Sequence, residues 1–517
     1  MAWEQERQEL ERRLAMAHEM GGPEGIARQH DRGRLTVRER LDLLVDEGSL
    51  REFGALTGRG VYGGGELVSF TPKSRVDAMA TIDGRRVVVS GTDFTVRGGS
   101  GGGSTGGLGA ELRADERALA WRVPYVRLLD AAGGSVRSFE TLGRTYLPDG
   151  NVWSTNDVAL LDVVPVVSAV MGSVAGLPAV QACLAHWNVM VRGTSELFPG
   201  GPPVVKASLG YEISKEDLGG SQIHGSQSGV IDNVADDEEE ALDMVRRFLS
   251  YLPSNVDEMA PLAEPEPPAR SQDFLRAVVP ENPRQPFNAH HLVEAVVDAE
   301  SFFEIAPGYG GSRLTGFARV DGFPVGVMAN NPLVLGGSTD VAAGEKVIRL
   351  IELCDTFHLP LVSFADEPGF MVGIESEKQG IERAGARLVW TTCRSRMPWI
   401  TFVVRRLYGV GGQCHHRPSG MFRRYAWPSA QWGSMHIAGG AAAAFRREIS
   451  EADDPAAKEA EIEARLQALA SPFLTAESTG QDIIDPADTR RLLAEFLEDA
   501  QRVLYTQLGP PTLPFRP

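Results

Sequence analysis

The sequence predicts an α/β protein built twice over, as two tandem units of stacked β-sheets flanked by helices. Three observations carry that expectation. First, turn and strand motifs recur at a near-constant offset. Asp83-Gly84, between DAMATI and RRVVVS, returns 238 positions on as Asp321-Gly322, between GFARV and FPVGVMA. Gly98-Gly99-Ser100 returns as Gly336-Gly337-Ser338 at the same offset, and VPYVRLLD, ending at Asp130, returns as LPLVSFAD, ending at Asp366. Asp-Gly and Gly-Gly-Ser turns are common, so any single match is weak. Their shared order and spacing argue for duplication of a unit of about 230 residues. Second, hairpins come first in each half, and short apolar strands then alternate with helical stretches such as 341–353 and 379–392, the pattern of stacked sheets with helices outside. Third, the Pro/Glu-rich segment 260–268, APLAEPEPP, has no apolar periodicity and reads as a linker near mid-chain.

The remaining elements follow in order. Residues 1–45 read as helical, with Thr36 placed to cap a helix that starts at Val37. The apolar strand VPVVSAVMGSVAG of the first half finds its partner in MPWITFVVRRLYGVG of the second. The acidic run 236–240 precedes ALDMVRRFLSYL and suits a helix N-terminus. Segments 453–470 and 488–507 read as charged amphipathic helices.

Composition narrows the partners. At 517 residues, 43% hydrophobic and 23% charged, the chain is ordinary globular protein of more than one domain. Acidic side chains outnumber basic ones 69 to 51, a net charge of −18, so neither nucleic acid nor an anionic membrane is an expected partner. Cys183, Cys354, Cys393 and Cys414 form no C-x-x-C pair, which fits a reducing cytosol and excludes a cysteine-rich zinc module. The charged N-terminal segment has no apolar core, so no signal peptide is expected. The longest apolar run, 159–171, contains Asp162 and is too short to span a bilayer. A cytoplasmic protein is the expectation.

Several motifs are decoys. Residues 98–102 and 102–106 both satisfy G-x-S-x-G, but in so glycine-rich a tract the match carries little, and an α/β-hydrolase is a minor alternative. The tract has no lysine in the P-loop position, so it is not a Walker loop. Cys414-His415-His416 resembles a metal cluster, but adjacent side chains diverge, and a loop is the better reading; no metal is expected. No biotinyl-lysine Met-Lys-Met motif is present. The better candidates are strand-to-glycine loops at matched positions, Val174-Ala175-Gly176-Leu177 and Tyr408-Gly409-Val410-Gly411-Gly412. Backbone N–H groups presented there could stabilise a developing oxyanion, with a tight strand–helix turn as the plain alternative.

The chain resembles the carboxyltransferase (β) subunits of biotin-dependent acyl-CoA carboxylases such as propionyl-CoA carboxylase. The matching segments include HDRGRLTVRERLDLLVDEGS, GTDFTVRGGS, FPGGPPVVKASLGYEISKEDLGG, IHGSQSGV, GFARVDGFPVGVMANNP, LCDTFHLPLVSFADEPGF and RYAWPSAQWGS. The resemblance implies two crotonase-like domains, 1–262 on the acyl-CoA side and 263–517 on the biotin side. It implies a hexamer, a dimer of trimers, with each active site between the N-domain of one subunit and the C-domain of another. Carboxybiotin is then delivered on a separate carrier (α) subunit that works with a biotin carboxylase. Carbon dioxide is released, the biotin anion removes the α-proton of a short- or medium-chain acyl-CoA, and the enolate attacks the carbon dioxide. No side-chain acid or base is required. Carried over by position, Gly176, Leu177, Val410 and Gly411 would supply the oxyanion holes. Arg97, Gly98, Gly99, Gly133, Gly134, Arg137 and Lys206 would meet coenzyme A, and Tyr408, Gly409, Gly412 and Gln413 would line the biotin and acyl pocket. Two departures stand out. Leu177-Pro178 falls where the family has Gly-Ala, and Pro178 has no N–H to give. Residues 130–137 diverge as well. A decarboxylase α subunit and an altered scaffold homologue are the alternatives.

Overall fold

Thr36 opens the helix Val37–Leu44 with a full capping box: its hydroxyl accepts from the Glu39 N–H, and the Glu39 carboxylate accepts from the Thr36 N–H at 2.7 Å. Two helices precede it, Glu4–His18 and Pro23–His30. The computed structural model describes residues 3–99, 113–134, 139–140, 143–145, 151–282, 284–416 and 420–517, with side chains at 151–153 and 438 left aside. Arg137 and Ser100 lie outside the described residues, as does the rest of the glycine-rich tract to residue 112.

The chain divides into two units, one reaching to Asn255 and the other spanning Val256–Arg516. The first holds a seven-stranded sheet in the order Arg51–Phe53, Arg75–Ile82, Arg85–Thr92, Tyr125–Leu129, Val166–Val170, Trp187–Val191, Asn233–Ala235. Its first three strands pair antiparallel and the rest parallel, the hairpin-then-crossover order expected from sequence. The helix Glu238–Ser250 packs beside it, capped by Asp237 within the acidic run.

The second unit repeats the plan with strands Phe303–Glu304, Arg313–Val320, Phe323–Asn330, Leu361–Glu367, Trp399–Tyr408, Phe422–Ala426 and Asp482–Ile483, and with Gln431–Gly433 added beside Trp399–Tyr408. The expected helices are Val341–Thr356 and Ile381–Arg394, and near the C-terminus Pro455–Leu469 and Thr489–Tyr505. Of these, Pro455–Leu469 is only weakly amphipathic, burying Ile462 alone.

The duplication is visible in backbone angles. Asp83 and Gly84 have φ 50 and 77, and Asp321 and Gly322 have φ 53 and 79. Arg97, Gly98 and Gly99 run left-handed in succession, as do Leu335, Gly336 and Gly337. Each Asp-Gly turn is held by one carboxylate that accepts both N–H groups, Asp46 in the first unit and Asp298 in the second. The Pro/Glu-rich segment is not free-standing within the second unit: Ala263 N–H donates to Gly322 O at 3.1 Å, and Arg319 donates to Pro261 O. No helix among the described residues is long and apolar enough to cross a membrane.

Candidate functional site

The first unit's long apolar strand does not run through. It ends at Val170, and just beyond it Gly172 packs so close to Asp130 that a Cβ there would lie 2.1 Å from the carboxylate. Beyond the break, Ser173–Ala175 leaves the main sheet and pairs in parallel with Glu196–Phe198. Gly176 follows at φ 70, ψ −134, backbone that only glycine adopts without strain. The helix Leu177–Cys183 then begins, with Pro178 in its first turn.

This turn presents one N–H. Gly176 N–H is spent on Phe198 O at 3.3 Å, Ala179 and Val180 both donate back to Gly176 O, and Pro178 has none. Leu177 N–H is the first of the helix and has no acceptor within it. The role of Gly176 is therefore conformational, and Leu177 alone is left as donor. The helix is anchored from behind: Gln181 Nε2 donates to Asp157 at 2.9 Å, and Asp157 is paired with buried Arg127 at 3.3 Å.

Two further glycine loops reach this turn. Ala132 N–H donates to Gly98 O, and Ala175 N–H to Ala131 O, each at 3.0 Å. A Cβ on Gly99 would lie 2.5 Å from Asp130 O, and one on Gly133 2.5 Å from Ala175 O. Arg97, Gly98, Gly99, Gly133 and Leu177 are thus parts of one patch, with Arg97 and Gly134 exposed on it. Lys206 is exposed on the helix Pro202–Leu209, which has no buried residue, and its ammonium pairs with Glu212 at 2.5 Å.

Beneath the patch lies a buried ion network that the sequence reading missed. Asp130 accepts from Gln29 at 2.9 Å and from Arg40 at 3.3 Å, and Arg40 also makes two 2.7 Å bonds to Glu238 and one of 2.9 Å to Met171 O. Gln29 immediately precedes the segment HDRGRLTVRERL, and Arg40 lies within it. Its work here is to fix the strand end from which the 131–134 loop departs.

In the second unit the strand Trp399–Tyr408 runs straight into the short helix Gly409–Gln413. Gly409 takes φ 60, and Val410 and Gly411 follow in the first turn, where helical bonding supplies no acceptors for their N–H groups. Val410 is 52% exposed, whereas Gly411 and Gly412 are buried. Tyr408 is buried, with its ring edge-on to His436 and its hydroxyl 3.4 Å from Gln431 Oε1. Gln413 is exposed. Cys414 is no nucleophile, because burial pushes its thiol up to about 12.

His415, expected in a loop, is fully buried against Arg313 and Glu367. Burial, reinforced by the Arg313 charge, lowers its pKa to about 4, so the ring is neutral. For Glu367 burial opposes the charge, but Arg313 prevails and holds the carboxyl at about 2. Among the described residues no group of three His, Cys, Asp or Glu side chains is placed to hold a metal.

The carboxyl transferase domain family matches residues 28–505. The carboxyltransferase subunit of propionyl-CoA carboxylase from Haloferax mediterranei is 37% identical over 505 residues, covering 96% of each chain. The α subunit of methylmalonyl-CoA decarboxylase from Veillonella parvula is 34% identical over 498 residues, 95% of each chain. Among solved structures, the hexameric transcarboxylase 12S with methylmalonyl-CoA and methylmalonic acid bound superposes with a TM-score of 0.86 at 32% identity, covering 97% of this chain and 96% of that one.

Proposed function

This chain belongs to the carboxyl transferase family, and on that premise we propose that it transfers a carboxyl group from carboxybiotin on a separate carrier subunit to the α-carbon of a short- or medium-chain acyl-CoA. The observation that carries the proposal is the convergence of the loops at Arg97–Gly99, 131–134 and 174–177 beside Leu177 N–H, which finds no acceptor among the described residues. Gly99 and Gly133 let the three loops pack against one another, and exposed Arg97 supplies positive charge for a phosphate-bearing ligand. Leu177 N–H would then meet the thioester oxygen as it becomes an enolate. Val410 and Gly411 would do the same for the ureido oxygen of biotin when its ring becomes an anion. Both steps need fixed dipoles rather than a titrating side chain.

The proposal includes assembly as a hexamer, the state named for the solved relative. The test is to purify the chain with candidate carrier and biotin carboxylase subunits and to assay bicarbonate- and ATP-dependent carboxylation over a panel of acyl-CoAs. Carboxylation of one or more short- to medium-chain thioesters supports the reading. A second reading, a decarboxylase running the transfer backwards, is favoured by the likeness to the Veillonella parvula subunit. It predicts carboxyl loss from methylmalonyl-CoA to a biotinylated acceptor and no ATP-dependent carboxylation. Activity toward neither substrate class, with the hexamer formed, would leave only the scaffold alternative.

A further inference from the structure

We infer that Glu367, together with Arg313 and His415, is a positioning unit that clamps the Gly409–Gln413 turn from both ends and sets the direction of the Val410 and Gly411 N–H groups. The inference rests on reading that turn as an oxyanion donor. Glu367 ends the strand Leu361–Glu367, and its carboxylate collects donors from several elements. Thr339 Oγ1 donates to it at 2.7 Å, Asn330 Nδ2 at 3.2 Å and Gly369 N–H at 2.9 Å, with Arg313 Nη2 alongside. The turn rests on this floor. A Cβ on Gly411 would lie 3.2 Å from the Glu367 carboxylate and 3.1 Å from Gly369 Cα, the residue that the carboxylate holds.

The other end of the turn is held by the same network. His415 N–H donates to Gly412 O at 3.2 Å, and the His415 carbonyl accepts from Thr401 Oγ1. Its ring cannot swing: Arg313 Nη1 donates to Nε2 at 2.9 Å, which leaves Nδ1–H for Ser363 Oγ at 2.6 Å. One guanidinium therefore ties the floor of the turn to its exit. Replacing a buried ion pair by apolar side chains is often neutral or stabilising, so stability alone is a weak account of this one. Paired buried polar groups fix a geometry, here with Arg313 Nε alone finding no partner among the described residues of the network, and a donor displaced by about 1 Å can cost about a hundredfold in rate.

The test uses Thr339→Val, Thr339→Ser, Ser363→Ala and Glu367→Gln in the full chain, reconstituted with its carrier, with propionyl-CoA as acceptor. Thr339→Val removes two bonds, the one Thr339 gives to Glu367 and the one it accepts from Arg313, and Ser363→Ala removes the bond to His415, with little change of volume. The inference expects kcat to fall about tenfold in each, with KM for propionyl-CoA within about twofold of wild type, and Thr339→Ser to restore kcat. Glu367→Gln should cost about a hundredfold or more. If Glu367→Gln does not fold, the two milder variants decide. Wild-type kcat in both, or a loss that Thr339→Ser does not recover, overturns the inference. Val410→Pro separates the two levels. Should it abolish turnover while the network variants remain fully active, the oxyanion reading stands and the positioning role falls. Should Val410→Pro also be fully active, both fall.

Discussion

The N–H of Gly176 donates to the carbonyl of Phe198 at 3.3 Å, and that bond decides which atom of the first loop is left for chemistry. It anchors the glycine in a left-handed conformation and passes the free end of the helix to Leu177. The Leu-Pro pair that departs from the family's sequence therefore still offers one donor, because the proline falls one position past it.

Pro178→Ala adds an N–H at the second helical position, where the family has one. With Leu177 as the proposed donor, turnover should change by less than about threefold. A rise of tenfold or more in steady-state kcat would mean that the native loop is a degraded hole.

Gly176→Ala isolates the conformational role. No atom lies within 4 Å of the added Cβ, so the cost is backbone strain alone, about 1–3 kcal/mol at φ 70, ψ −134. Chemical denaturation should show this loss. An unchanged midpoint would show that the turn relaxes freely and that the glycine is dispensable.

Gly133→Ala acts on the coenzyme side. Its Cβ would meet Ala175 O at 2.5 Å in a backbone already at φ 79, which forces the 131–134 loop away from the 174–177 turn. KM for the acyl-CoA should rise about tenfold or more, with the effect on free biotin as acceptor much smaller. Equal effects on both substrates would detach this loop from coenzyme A.

Acid should weaken the second unit through two groups of the same sign. His415 titrates at about 4 in the fold against 6.5 ordinarily, so the stabilisation it supplies is whole above pH 6.5 and drains away as pH falls toward 4. Taken alone the difference is worth about 3 kcal/mol. Glu367 adds a loss that begins below about 4.5 and ends near 2. His415→Asn should flatten the fall in melting temperature between pH 6.5 and 4, and an unaltered slope would refute the assignment.

The duplicated plan was legible because it is written in local chemistry. Asp-Gly turns need positive φ at both residues, and the angles at Asp83-Gly84 and Asp321-Gly322 agree within a few degrees. The glycine loops were legible for the same reason. What the sequence did not reveal is long-range. Arg40 meets Glu238 across 198 positions and Arg313 meets His415 across 102, and no periodicity or spacing rule links such pairs. The break near Gly172 was hidden too, since the apolar run continues through it and the close approach of Asp130 comes from beyond the end of the neighbouring strand Tyr125–Leu129. Lys206, chosen for its charge, also pairs with Glu212, a partner that charge counting along the chain does not reveal.

The account turns on backbone N–H groups, and Leu177→Pro tests it most directly. The first helical position accepts proline without loss of a helical bond, so the substitution removes the donor and little else. Turnover should be measured for bicarbonate-dependent carboxylation at saturating acyl-CoA, with thermal melting and light scattering as checks on fold and assembly. The prediction is a fall of about 10²–10³-fold in kcat with the assembly state and melting temperature of the unsubstituted protein retained. Wild-type turnover in a Leu177→Pro variant of unchanged assembly state would contradict the account, and the loop would then be only a tight turn.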